Sequence, residues 1–414
     1  MKIEIKEFMI RMFSEIPNTI KAIGLVSFLL NTSTLMVFSI FGIYLHDKLG
    51  IDFSKIGLLD GAVESISFIT KVFSGIMSDF FTNRKFIFLI GAVLLFIAKP
   101  LEAISTNFWS LFQTKVLERF GNGLQATPRD AMVGDWAPAD KKATCFGIRQ
   151  SSAAFGSIFG SVLAAILLKL SDGDYPFVFW IASIPSLIAV FVIVFFIKDK
   201  KRVSNYSSTK DVKKYRKISI DDIKSLGFEY WLLIGGACTY MISKVGESIV
   251  ILYVVSTLEL PGYLAPICMF CYQLSNTVVS FLAGVLSDKF KNRDMVIIFG
   301  IASFLLSDIL FIFGNTMLTM VIALMFLGAY IGISQSIFHA KIIDIVPEDL
   351  RGTGIGIFNF ICALSLLSGG MIIGHVADSF SLRHSFIVSS VFAGVSLVVL
   401  FMSRKIAVGR KNRE

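Results

Sequence analysis

Apolar residues in this chain gather into a succession of runs, most of them roughly 19–27 residues long, the length a helix rising 1.5 Å per residue needs to cross about 30 Å of hydrocarbon. Twelve such runs are legible, at about 21–46, 55–77, 86–105, 108–132, 144–168, 176–196, 228–254, 262–286, 295–313, 316–344, 353–375 and 384–403. A chain of 414 residues that is 55% apolar, with 40 Phe and a mean hydropathy of +0.74, has more apolar surface than a soluble core can hide. The expected fold is therefore an all-α membrane protein with 12 transmembrane helices.

The net charge of +9 does not point to nucleic acid, because of where the cations fall. With both termini in the cytoplasm, Lys and Arg concentrate in the termini and in the loops on that same side, the asymmetry that orients membrane proteins. The one long polar stretch, around KDKKRVSNYSSTKDVKKYRK, divides the chain into a six-helix half at 1–196, a basic cytoplasmic linker at 197–227 and a second six-helix half at 228–414. Its basic run reads as a topology signal near anionic headgroups. Residues 1–20 lack the pattern of a cleavable signal. Trp136, Trp180 and Trp231 fall near span ends, as interfacial anchors do.

Soluble enzyme chemistry finds no support. There is no phosphate-binding glycine loop, and His46, His339, His375 and His384 lack zinc-type spacing. Cys268 and Cys271 have a metal-like spacing but sit mid-helix without a second ligand pair, so packing is the expected role. No metal, cofactor or nucleic acid is expected; the expected partners are a small-molecule substrate, protons and the lipid bilayer, with the chain acting as a monomer.

The two halves repeat. GIMSDFFTNR at 75–84 returns as GVLSDKFKNR at 284–293, and the offset of 209 also pairs Gly123 with Gly332, Pro138 with Pro347, Asp140 with Asp349, Gly147 with Gly356 and Gly160 with Gly369. A duplicated six-helix unit is a transporter architecture. On these residues the whole chain resembles the major facilitator superfamily, whose loop signature runs roughly G-x-x-x-D-[RK]-x-G-[RK]-[RK] in each half. Gly75, Asp79, Arg84 and Lys85 match it in the first copy, and Gly284, Asp288, Lys289, Lys291 and Arg293 in the second. The second glycine of the pattern is absent from both copies. The resemblance implies two halves related by pseudo-two-fold symmetry that alternate access across a bacterial inner membrane. A carboxylate at a helix end can hold a neighbouring basic group or helix terminus in one state and release it in another, so Asp79 and Asp288 are expected to gate.

Two further stretches carry the resemblance. Glu118-Arg119-Phe-Gly-Asn-Gly123 is similar to the family's R-x-x-x-G-x-G region, which implies a proton-transfer role for Arg119. Gly147, Gly156 and Gly160 match the start of the antiporter pattern G-x8-G-x3-G-P-x2-G-G and imply close helix packing, whereas Ser161, Ala164 and Ala165 replace its proline and final glycines. Export by proton antiport is thus favoured over proton-coupled uptake. A sensor or lipid scramblase on the same fold is the reading from a different class.

Ionisable side chains inside spans cost about 2.5–3.5 kcal/mol each on insertion scales, so they must pair, face an interior or work. Asp60, Glu64 and Lys71 fall within about 40° on one helix face. Glu64 is the expected proton carrier with Arg119 as partner, followed by Glu118 and Asp60. Static pairs, Glu64 with Lys71 and Glu118 with Lys115, are the alternative. Lys71, Lys115, Arg149, Tyr240, Lys244, Glu247, Gln273, Asn276, Gln335, His339 and Asn359 are expected to line a substrate cavity. Lys244 and Glu247 stand three apart in one seventh span, as a substrate clamp or a local pair. So charged an interior suits a polar or charged organic solute better than an apolar drug.

Overall fold

A computed structural model describes residues 16–80, 83–138, 141–199, 226–290, 293–346 and 350–411; the side chains of 72, 75–80, 143, 281–290, 293–295, 334–340, 343–344, 351–352 and 403–411 are outside the description. Among the described residues the chain is helical without strands. The helices are α1 Asn18–Ile43 (extended by a π-turn, Tyr44–Lys48), α2 Phe53–Phe80, α3 Arg84–Ile104, α4 Phe108–Trp136, α5 Lys142–Leu170, α6 Tyr175–Phe196, α7 Gly227–Ser243, α8 Glu247–Thr257, α9 Ala265–Phe290, α10 Arg293–Phe313, α11 Met317–Ile345, α12 Arg351–Ser379 and α13 Leu382–Lys411. They make twelve passes, because α7 and α8 are two pieces of the seventh. Among the described residues, eight stretches are long and apolar enough to cross a membrane. The passes that fall short include α2, with Asp60, Glu64 and Lys71, and α4, with Lys115, Glu118 and Arg119.

Short polar residues start the helices where the apolar runs begin. Asn83 accepts from the Phe86 amide at 3.0 Å, Asn107 from Ser110 at 2.9 Å and Asp174 from Phe177 at 3.0 Å, while Thr316 and Thr319 form a reciprocal box at the head of α11. Each side chain satisfies an amide that the first helical turn leaves free.

The chain divides into two compact units, Met1–Phe38 with Thr70–Asn205 and Ser39–Ile69 with Tyr206–Glu414. In the first unit α3 packs on α4 and α6; in the second, α10 packs on α11 and α13, the equivalent helices under the 209-residue repeat. Glycines set two close crossings. A Cβ at Gly156 or Gly160 of α5 would strike the α1 backbone at Phe28 or Thr32. In the second unit, Gly57 of α2 and Gly370 of α12 each lie against the other's backbone carbonyl. Asp378 closes that crossing by accepting from the amides of Phe53 and Ser54 at 2.9 and 2.8 Å.

The seventh pass corrects the sequence reading. Expected as one helix over 228–254, it breaks at Lys244–Gly246. Asp60 occupies the break. Its carboxylate accepts from the Ser248 amide at 3.2 Å and hydroxyl at 2.8 Å, at the N-terminal turn of α8, and lies where a Cβ on Gly246 would go. A buried carboxylate there is favoured by the helix dipole and satisfies an otherwise free amide.

Candidate functional site

Four charges meet in the first unit near the α3–α4 turn. Lys99 and Glu102 on α3 face Lys115 and Glu118 on α4, with side chains only 0–2% exposed. Lys115 Nζ is 2.7 Å from Glu118 Oε2 and 3.1 Å from Glu102 Oε1, Lys99 Nζ is 3.4 Å from Glu102 Oε2, and Lys99 also pairs with Glu118 Oε1. The quartet is neutral overall, and every charge has two opposite neighbours. Lys115 and Glu118 were visible in the sequence; Lys99 and Glu102 were missed. Their own i, i+3 spacing, mirrored across a short turn, was the available signal.

Further along α4 the polar face continues. The Arg119 guanidinium lies 5.0 Å from the centroid of the Phe38 ring, a cation–π distance. Gln125 accepts from Arg129 at 3.3 Å and donates to Asn122 at 3.0 Å. Asp130, also missed, bridges Arg129 Nε at 3.2 Å and Arg149 Nε of α5 at 3.3 Å. Arg84 is buried against Asp135 at 2.6 Å, and Lys85 donates to the Val194 carbonyl at 2.8 Å. Lys71 is exposed, and its backbone carbonyl accepts from Thr127 at 3.3 Å. A Cβ on Gly147 would meet nothing within 4 Å, so packing does not require glycine there as it does at Gly156 and Gly160.

The second unit gathers its polar groups around the helix break. Lys244 caps the end of α7, and its Nζ lies 3.8 Å from Glu64 Oε2 on α2. Their side chains are 17% and 31% exposed, unlike those of the quartet. Glu247 heads α8 and accepts from the Tyr272 hydroxyl at 2.7 Å, so the two residues expected to share one helix stand on either side of the break with different partners. One turn along from Tyr272, Asn276 donates to Gln273 at 3.5 Å and accepts from Ser280 at 3.1 Å. Tyr240 packs edge-on against Phe304 and Tyr330, and Asn359 is buried.

A fourth missed charge, Asp308 on α10, is 1% exposed. It stands 209 residues after Lys99, at the equivalent place in the repeat; Phe311, Leu324 and Leu327 occupy the places of Glu102, Lys115 and Glu118. The side chains of Gly75, Asp79, Gly284, Asp288, Lys289, Arg293, Gln335 and His339 lie outside the described residues. Among described residues no cluster of three metal-type ligands occurs, and Cys268 and Cys271 are free thiols.

Twelve membrane-length passes with ionisable side chains turned toward one another define an integral membrane protein, and the family match that follows makes it a secondary transporter and not an enzyme. The sequence profile of the Major Facilitator Superfamily matches residues 23–365, with a second match over 232–414, and the chain belongs to that family. An uncharacterized MFS-type transporter of Methanocaldococcus jannaschii is 27% identical over 402 residues, 94% of this chain and 96% of that protein. Among solved structures, a mutant of the nucleoside transporter NupG aligns with a TM-score of 0.74 at 16% identity, covering 94% of this chain and 99% of that one. A bacterial homolog of the human lysosomal transporter Spinster, inward-facing and occupied, aligns at 0.73 with 15% identity, covering 93% and 96%. Likeness at these identities establishes the fold.

Proposed function

We propose that this protein carries a small polar or charged organic solute by alternating access, coupled to protons, with Glu64 as the proton carrier. The observation that carries this reading is the contrast between two sets of interior charges. The quartet around Glu118 is sealed and mutually neutralised, as a static support would be, so Glu118 is better suited to holding α3 on α4 than to exchanging protons. The Glu64–Lys244 pair is long at 3.8 Å, partly exposed, and placed at a break in the seventh pass. A carboxylate held loosely by a movable ammonium can take up a proton when that ammonium is drawn elsewhere. Gln273 and Asn276 in the same unit offer neutral hydrogen-bonding groups of the kind a polar solute needs. The solved transporters of similar fold include one in complex with 5-aminolevulinic acid, a small charged solute.

The finer features go with this proposal. Arg119 serves as the first half's coupling cation, Asp60 fixes the head of α8 while the neighbouring pair titrates, and Asp79 and Asp288 act as gates. The functional halves are 1–196 and 228–414 with 197–227 as linker, in a monomer in a bacterial inner membrane with both termini cytoplasmic. Export by antiport is favoured over uptake. The test is untargeted metabolite profiling of cells and medium, comparing wild type with Glu64→Gln at equal expression. A compound depleted inside and enriched outside only with wild type identifies the substrate and export; the opposite distribution identifies uptake. Equal profiles for the two proteins, with a solute moved by both, would remove Glu64 from coupling; flux indifferent to the pH gradient would remove the proton.

A further inference from the structure

Asp308 belongs to no part of that proposal, yet it is among the most deeply buried carboxyl groups of the second unit. Its Oδ2 lies 2.6 Å from the Ser389 hydroxyl oxygen on α13. The same hydroxyl oxygen is 2.7 Å from the backbone carbonyl of Ser243, the last residue of α7 before the break. A serine hydroxyl has one proton, and a carbonyl can only accept. If Ser389 gives its proton to Ser243, the short contact to Asp308 needs a proton from the carboxyl side. Ser390 cannot supply one: its hydroxyl donates to the Phe386 carbonyl at 2.8 Å and stands 3.5 Å from Asp308, beyond a good hydrogen bond.

The surroundings agree. On α13 the described ionisable side chains are Arg383 and His384, six and five residues before Ser389, with the His384 ring against the Ser381 hydroxyl at 2.8 Å. On α7 and in the break, Glu229 pairs with Lys341 of α11 and Lys244 pairs with Glu64. On α8, Glu247 is taken by Tyr272, and the Tyr253 hydroxyl is spent on the Phe311 carbonyl at 2.6 Å. On α11, Tyr330 belongs to an aromatic cluster with Tyr240 and Phe304, and next to Asp308 the Ser307 hydroxyl is spent on the Ala323 carbonyl. Among the described residues no cation forms an ion pair with Asp308. An unpaired carboxylate in such a place would carry the full penalty of a buried charge, whereas a neutral acid with a hydrogen-bond partner does not.

We propose that Asp308 is a second proton-binding site: a carboxylic acid that donates to Ser389, which in turn caps α7 through the Ser243 carbonyl. Loss of that proton to water, with one negative charge left on Asp308, turns the Ser389 hydroxyl toward the carboxylate and frees the Ser243 carbonyl beside the break. The proton state of Asp308 thereby sets how firmly the end of α7 is held. The site stands independently of Glu64 and of any substrate.

The experiment uses the full-length protein in lipid vesicles at neutral pH. Infrared difference spectra of wild type should contain the carbonyl stretch of a protonated carboxylic acid that is missing from Asp308→Asn. The band should move to higher wavenumber in Ser389→Ala, where the acid loses its acceptor. It should persist in Glu64→Gln, which separates this site from the coupling proposal. Deuterium exchange over 241–248, corrected for intrinsic rate, should rise with pH in wild type and stay at its low-pH level in Asp308→Asn. A spectrum unchanged by Asp308→Asn, or an equal pH response in both proteins, would overturn the proposal. Should Asp308→Asn fail to fold, an unshifted band in Ser389→Ala would overturn it alone.

Discussion

Glu118→Gln should destabilise the protein by about 3–5 kcal/mol, the loss expected when one partner is removed from a buried ionic arrangement. Glu118 touches two ammonium groups, Lys115 at 2.7 Å and Lys99. At an effective dielectric constant of about 20, a pair at about 4 Å gains about 4 kcal/mol, so two contacts gain about 8. Several kcal/mol of that offsets the cost of keeping the carboxylate from water. What remains is a few kcal/mol, and the substitution also leaves Glu102 as the one carboxylate that Lys99 and Lys115 share. Chemical denaturation of the purified protein in mixed micelles would read the change, with the thermal midpoint as a second measure. A paired change, Lys99→Met with Glu118→Met, leaves Glu102 and Lys115 as a neutral pair 3.1 Å apart and should recover most of the loss. Two results would refute the reasoning. One is a loss below about 1 kcal/mol for Glu118→Gln, the range of an exposed pair; the other is a double variant no more stable than the single.

Asp60→Ala should cost about 1–3 kcal/mol, because the Ser248 amide and hydroxyl lose a buried acceptor; the same denaturation assay measures it, and an unaffected protein would show that the head of α8 does not depend on Asp60. Gly156→Leu should abolish the monodisperse peak in fluorescence-detected size exclusion, since its side chain would meet the α1 backbone at Phe28, while Gly147→Ala should behave as wild type; equal profiles for the two would contradict the crossing described for α5 on α1.

The passes were legible in the sequence because hydrocarbon thickness imposes their length, and short polar residues such as Asn107 and Thr316 mark where helices start. The partners of interior charges were less so. Lys115 and Glu118 lie one turn apart and announce themselves, whereas Asp308 meets Ser389 from 81 residues away and Ser389 meets Ser243 from 146, distances that leave no spacing signal. Lys99 and Glu102 escaped notice since their span is otherwise apolar and they stand near its end, where charges are commonly solvated. The break in the seventh pass was hidden for a related reason. Gly246 alone is tolerated in a helix, and only the arrival of Asp60 from another helix decides the geometry.

Lys99 and Asp308 occupy one position of an ancestral repeat, and the two copies have answered it with opposite chemistry. The first surrounds an ammonium with two carboxylates, while the second seats a carboxyl among hydroxyls and places Phe311, Leu324 and Leu327 where the other three charges stand. The halves have therefore lost interchangeability. A graft of Asp308 into the place of Lys99 would set a carboxyl group beside Glu102 and Glu118 with only Lys115 to balance three acids. Descent from one duplicated gene is preserved in the helices, and their separate histories since then are recorded in the groups buried between them.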